Sequence, residues 1–199
     1  MSFLQKAASH TTDWLVQGGS ISEDEREVYE YGLDKLFSSL THFLFTVCLG
    51  FLFGIPGLTM LFFVSYYIIR IYAGGYHAET PQRCFLTSVG IMIPTLTVMK
   101  FWQVWFVAWV FYALLALGSI VLVLIAPVAH KNKMLDEREK VVYRRRMLRN
   151  LSVAVITALI LFQLSYHGLA VSVLCGVLLA MLMALTGKIK LLVESEHVR

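Results

Sequence analysis

Charged residues are scarce in this chain. Asp, Glu, Lys and Arg together supply 15% of its 199 residues, where soluble domains average about 25%. Hydrophobic residues make up 58%, and the mean hydropathy is +0.70. So few polar side chains cannot cover a core of that size, which excludes a soluble globule as well as a disordered or collagenous chain. Cysteine is equally sparse. Three residues, Cys48, Cys84 and Cys175, are odd in number and far apart, so they make neither a disulfide framework nor a CxxC metal or redox site. No internal repeat or low-complexity stretch is present. The first twenty residues lack a continuous apolar core, so no cleavable signal peptide is expected.

What the chain has is apolar length. A spanning helix needs roughly 17 to 25 mostly apolar residues. Six segments approach this: 36–55, 57–73, 84–99, 104–126, 151–166 and 168–186. The third and fifth are short and must borrow flanking residues or thin the bilayer locally. Connections at Pro56-Gly57, Lys100 to Gln103 and His167-Gly168 read as tight hairpins. The expected fold is all-α, a polytopic membrane protein with six transmembrane helices and an N-terminal amphipathic region. It forms a single domain over 1–199, with 1–35 amphipathic, 36–186 the six-span core, and 127–150 a basic cytoplasmic loop.

Six spans put both termini on one side. All of the 17 Lys and Arg except Lys100 fall on that side. The positive-inside rule makes it cytoplasmic, together with the loop holding His77. In the first 35 residues, Phe3, Leu4, Ala7, Ala8, Trp14 and Leu15 recur at helical spacing, as in a helix lying on the inner leaflet. Gly18-Gly19 should end it. Ser22 with Glu25 is a capping box that starts a second helix running toward the first span. This region is an anchor or packing element, or a docking surface for another amphipathic segment.

Polar, small and reactive residues gather at one membrane boundary, Arg70 to Ser88. Thr80-Pro81 reads as an N-cap followed by proline at the first helical position. Cys84 then lies in the first turn, where the positive end of the helix favours a thiolate. His77 is seven residues away, about 10.5 Å along a continuous helix, beyond hydrogen-bond reach. Gly74-Gly75 before it and Pro81 after it let the chain fold back. A histidine beside a cysteine is an arrangement for nucleophilic catalysis.

The set Arg70, Gly75, His77, Cys84 and Ser88, in a six-span chain of this length, resembles the accessory gene regulator B (AgrB) family of Gram-positive quorum sensing. The resemblance covers nearly the whole chain, and the His77 and Cys84 motif is its specific part. It implies a membrane cysteine endopeptidase that processes an AgrD-type precursor peptide. Cys84 would attack a precursor carbonyl, and His77 would take the thiol proton and return it to the leaving amine. The peptide held as a thioester on Cys84 would then be captured by its own thiol, closing a thiolactone ring. The resemblance also implies a homodimer, and precursors with an acidic C-terminal part. No metal or cofactor is expected, and nucleic acid is not an expected partner.

Other residues have two readings each. Glu79, Gln82 and Ser88 are candidates to orient His77, and Ser88 could equally bond its own backbone. Arg70 either snorkels to headgroups, or binds a substrate carboxylate or supports the Cys84 thiolate. Lys131, Lys133, Arg144, Arg145, Arg146 and Arg149 either set topology and attract anionic membrane lipids or dock an acidic peptide. Cys48 and Cys175 read as inert, buried apolar residues. His42 reads as a neutral, hydrogen-bonded histidine inside the first span. Two other classes compete with the peptidase. A transporter would show paired charges deep in the spans or an inverted repeat, and neither is visible. A non-catalytic scaffold would keep its function without Cys84.

Overall fold

The computed structural model describes residues 3–75, 81–105, 107–128 and 136–196, for the backbone alone at 3, 81–85, 105 and 194–196. Among these residues there are eight α-helices and no strand. The order is α1 (Phe3–Gln17), a short 3-10 turn (Glu23–Glu25), α2 (Arg26–Phe53), α3 (Pro56–Ala73), α4 (Pro81–Lys100), α5 (Trp102–Trp105), α6 (Ala108–Ile125), α7 (Glu137–Gln163) and α8 (His167–Glu196). The chain divides into two compact units, residues 1–48 and 49–199.

In the first unit, α1 buries Ala8 and Thr12, four residues apart on one face, while Lys6, His10 and Trp14 are exposed. The helix ends at Gly18-Gly19, as its sequence dictates. The amide of Gly19 reaches the Val16 carbonyl at 2.9 Å and that of Ser20 reaches Leu15 at 3.0 Å, a Schellman closure. Glu25 accepts from both the amide and the hydroxyl of Ser22, at 3.1 and 2.9 Å. The Arg26 guanidinium pairs with Asp13, tying α2 back to α1. His42 Nδ1 donates to the Ser38 carbonyl at 2.7 Å, so the ring is hydrogen-bonded within its own helix.

The second unit is built around α8. Ala170, Val173, Leu174, Val177, Ala180 and Ala184 are buried there. Against them pack Ile69 of α3, Phe111, Leu115 and Leu122 of α6, and Met147, Leu151, Ala154 and Ala158 of α7. Leu96 and Met99 bring the second half of α4 against Phe62 of α3 and Val171 and Cys175 of α8. Small residues on α8 let backbones approach, the usual device for packing helices in lipid. Gly176 shows how close. A Cβ there would lie 2.9 Å from both Ser65 Cβ and the Tyr66 amide and 3.0 Å from the Phe62 carbonyl. Gly176→Val should therefore destabilise the fold by about 2 kcal/mol, the cost of overpacking. Gly57→Ala, with nothing within 4 Å of the added atom, should not. Thermal midpoints in detergent would separate the two.

Among the described residues, five helices are long and apolar enough to cross a membrane: Glu23–Phe53, Pro56–Ala73, Ala108–Ile125, Glu137–Gln163 and His167–Val193. The remaining expected span is α4, Pro81–Lys100, apolar over Leu86–Lys100 among the residues whose side chains are described. The protein is thus an all-α polytopic membrane protein. Three details differ from expectation. The fourth span begins as a separate turn, α5, before α6. Residues 137–150 are not a loop but the first half of α7, started by Asp136, whose carboxylate accepts from the Glu137 amide at 2.7 Å while Glu139 accepts from the Asp136 amide at 3.2 Å. Cys175 is buried as expected, but Cys48 is exposed, because it lies on the face of α2 away from the buried Thr46.

Candidate active site at the end of helix α3

The segment leading to His77 is fixed from three sides at the end of α3. Its last turn contains Ile69 and Ala73, both fully buried. Gly74 closes the helix with φ 70° and ψ −156°, its amide 3.3 Å from the Arg70 carbonyl. The Arg70 guanidinium donates to the Gly74 carbonyl. Through this bond Arg70 caps its own helix.

The second side is the connection after α6. The Val128 amide donates to the Ala73 carbonyl at 2.9 Å, and Gly74 and Val128 form an isolated parallel bridge. A Cβ on Gly74 would collide with the Val128 backbone. The third side is α8. Gly75 has φ 121°, a conformation that L side chains rarely adopt, and a Cβ there would run into the Met183 carbonyl group. Consecutive glycines are needed because both peptides pass between neighbouring backbones.

From the outer face, α7 grips the same turn. Asn150 Nδ2 donates to the Ile68 carbonyl at 2.7 Å. Tyr143 meets Tyr72 edge-on, with ring centroids 5.7 Å apart and planes at 77°. The Arg146 guanidinium carbon sits 5.7 Å from the centre of the Tyr72 ring.

Of the residues the sequence nominated, His77 and Glu79 lie outside the described residues. Cys84 and Gln82 lie in the first turn of α4, which begins at Pro81 as expected, but their side chains are outside the described set. Ser88 follows one turn after Cys84 and is half-buried. Lys131 and Lys133 are also outside. Arg145, Arg146 and Arg149 share one stripe of α7 and, with Val142, line a shallow groove of about 530 Å³. Arg144 does not line it and instead donates to the Val123 carbonyl of α6 at 3.3 Å. Asn150, Tyr143, Tyr72 and Val128 were not singled out from sequence. The one available signal was that Tyr143, Arg146 and Asn150 repeat at helical spacing on one face.

Fold and site together define a multi-pass membrane protein with a glycine-clamped boundary segment preceding a helix-start cysteine. Residues 8–186 match the accessory gene regulator B family, AgrB, and the chain belongs to it. The protein thereby falls within accessory gene regulator quorum sensing, among peptide-processing membrane proteins. It is 25% identical over 172 residues to a putative AgrB-like protein of Clostridium perfringens strain SM101, covering 80% of this chain and 77% of that one. It is 23% identical over 131 residues to the accessory gene regulator protein B of Staphylococcus haemolyticus, covering 66% and 67%. A shorter match to protein FsrB of Enterococcus faecalis is 37% identical over 71 residues, covering 36% and 29%. No solved structure matches the chain.

Proposed function

We propose that this protein is a membrane cysteine endopeptidase that cleaves an AgrD-type precursor and cyclises the retained part to a thiolactone. The observation that carries this reading is Cys84 in the first turn of α4, one short segment after the doubly clamped Gly74-Gly75 that delivers His77. Thiolate is favoured at a helix start. His77 takes the thiol proton as the sulfur attacks the scissile carbonyl and returns it to the departing amine. The released fragment is the C-terminal part of the precursor. The retained peptide is a thioester on Cys84. A cysteine thiol within that peptide attacks the thioester carbonyl, and the Cys84 thiolate leaves. This second step exchanges one thioester for another and is near balance. The first turns a stable amide into a thioester, so product removal must pull it forward. Water must be kept from the acyl-enzyme, and a site at the membrane boundary serves that need.

In this reading the termini and the site face the cytoplasm of a multi-pass plasma-membrane protein, which works as a homodimer among membrane lipids. The groove of Arg145, Arg146 and Arg149 receives the acidic end of the precursor. Replacing Arg145 and Arg149 together by Gln should raise KM about fivefold with little change in kcat. Exposed ion pairs are worth only about 0.2 to 1 kcal/mol each. Added salt should raise KM for the parent protein more than for the variant.

The deciding experiment is intact mass on protein reconstituted in liposomes with a candidate precursor. The expected record is a covalent adduct on the protein and a free C-terminal fragment. The adduct then gives way to a product lighter by one water than the linear peptide. Cleavage that persists in Cys84→Ala would end the thiol mechanism.

A further inference from the structure

Asn150 is the unexpected polar residue of this molecule. It stands between Arg149 and Leu151 in α7, where the charged half of that helix gives way to its apolar half. Its side chain is half-buried, and its amide crosses to another helix, 82 residues away in sequence, to reach the Ile68 carbonyl at 2.7 Å. A carbonyl inside an α-helix already accepts the amide four residues on. The fold of α3 therefore does not need this second bond. What the bond fixes is the rotation of the last turn of α3 against α7. Tyr143 and Arg146, on the same face of α7, hold Tyr72 one turn further along α3. Two residues beyond Tyr72 the chain enters Gly74, bridged to Val128.

We infer that Asn150, with Tyr143 as its second contact, is a positioning residue that sets the direction in which the chain leaves α3 toward His77. The inference rests on the proposed peptidase reading. Asn150 touches neither substrate nor reacting atoms. It acts through Ile68, as Tyr143 does through Tyr72. Misplacing a reacting group by about 1 Å costs up to a hundredfold in rate. A small rotation of this turn therefore appears in turnover, not in substrate affinity. The basic groove lies on the same helix, so a precursor held there is held by the element that sets the geometry of the site.

The test compares Asn150→Leu, Asn150→Gln and Tyr143→Leu with the parent in liposomes. Leu keeps the volume and removes the donor, whereas Gln keeps the amide. The expected result for Asn150→Leu is a fall in kcat of about tenfold with KM within about twofold. Asn150→Gln should recover most of the loss. Tyr143→Leu should lower kcat in the same way by a smaller factor. It carries the test alone if Asn150→Leu does not accumulate in the membrane. Alkylation by iodoacetamide, mapped to Cys84 by peptide mass, should slow in Asn150→Leu while labelling of the exposed Cys48 stays constant. An unchanged kcat, a loss confined to KM, or no recovery with Gln would each overturn the inference. Cleavage that survives in Cys84→Ala would instead overturn the peptidase reading beneath it, so the two failures are distinct.

Discussion

Cys84→Ala should leave no measurable cleavage of the precursor, a loss on the order of 10⁴-fold or more, because no other group in the mechanism forms the covalent intermediate. Its abundance in the membrane should match the parent, since a small side chain replaces another in the first turn of a helix. His77→Ala should look different. It should still carry the thiol but lose the base that withdraws its proton. Mapped to Cys84, alkylation in this variant should be slow at neutral pH and should rise only at higher pH than in the parent, because the base is gone while the helix start remains. In the proposed reading the parent's alkylation should plateau earlier. Superimposable pH profiles for the two proteins would remove His77 from the role of base.

The second large effect is expected at Gly75. Alanine there must adopt φ 121° and place its Cβ against the Met183 carbonyl of α8. Backbone strain of this kind costs about 1 to 3 kcal/mol, and the collision adds an overpacking cost of similar size. The chain would relieve both by moving off α8, which displaces the segment leading to His77. Gly75→Ala should lose at least about a hundredfold in kcat and lower the thermal midpoint in detergent. Gly57→Ala should do neither. Full activity in Gly75→Ala would mean that the approach of this turn to α8 does not matter for catalysis.

These two sites also mark what the sequence could tell. The apolar runs, the break at Gly18-Gly19, the pairing of Ser22 with Glu25 and the helix start at Pro81 were all legible. Each is written in residues close together in the chain. So was the need for a permissive backbone at Gly74-Gly75. What surrounds those glycines was not. Val128 and Met183 come from distant elements, and nothing near Gly75 records that they arrive there. Asn150 was hidden for the same reason, and its neighbours suggested only a basic surface. The helical start of α7 was overlooked although Asp136 and Glu139 carry the signal of a capped helix, because the density of arginines drew the reading toward a loop. The sequence offers snorkelling, carboxylate binding or thiolate support for Arg70, but nothing in it announces the bond from its guanidinium to the Gly74 carbonyl. Cys48 was assigned to the interior on residue type alone. In a membrane protein an apolar face has two possible neighbours, protein and lipid, and composition does not distinguish them.

The packing of α4 carries one more consequence. Among the described residues its apolar contacts begin at Ile91 and Met92 and continue through Leu96 and Met99, while Leu86 is 69% exposed. The described apolar anchorage of the helix that bears Cys84 thus lies in its second half. Cys84 lies about 10 Å along the axis from Ile91, so a tilt of about 5° there carries the thiol about 1 Å. Its apolar run, 84–99, is one of the two short ones in the sequence, and the inclination of such a span must answer to the thickness of the surrounding bilayer. In the proposed peptidase reading, the acyl-chain length of the host lipid thereby becomes a mechanical input to the chemistry, acting on Cys84 through the angle of a single helix.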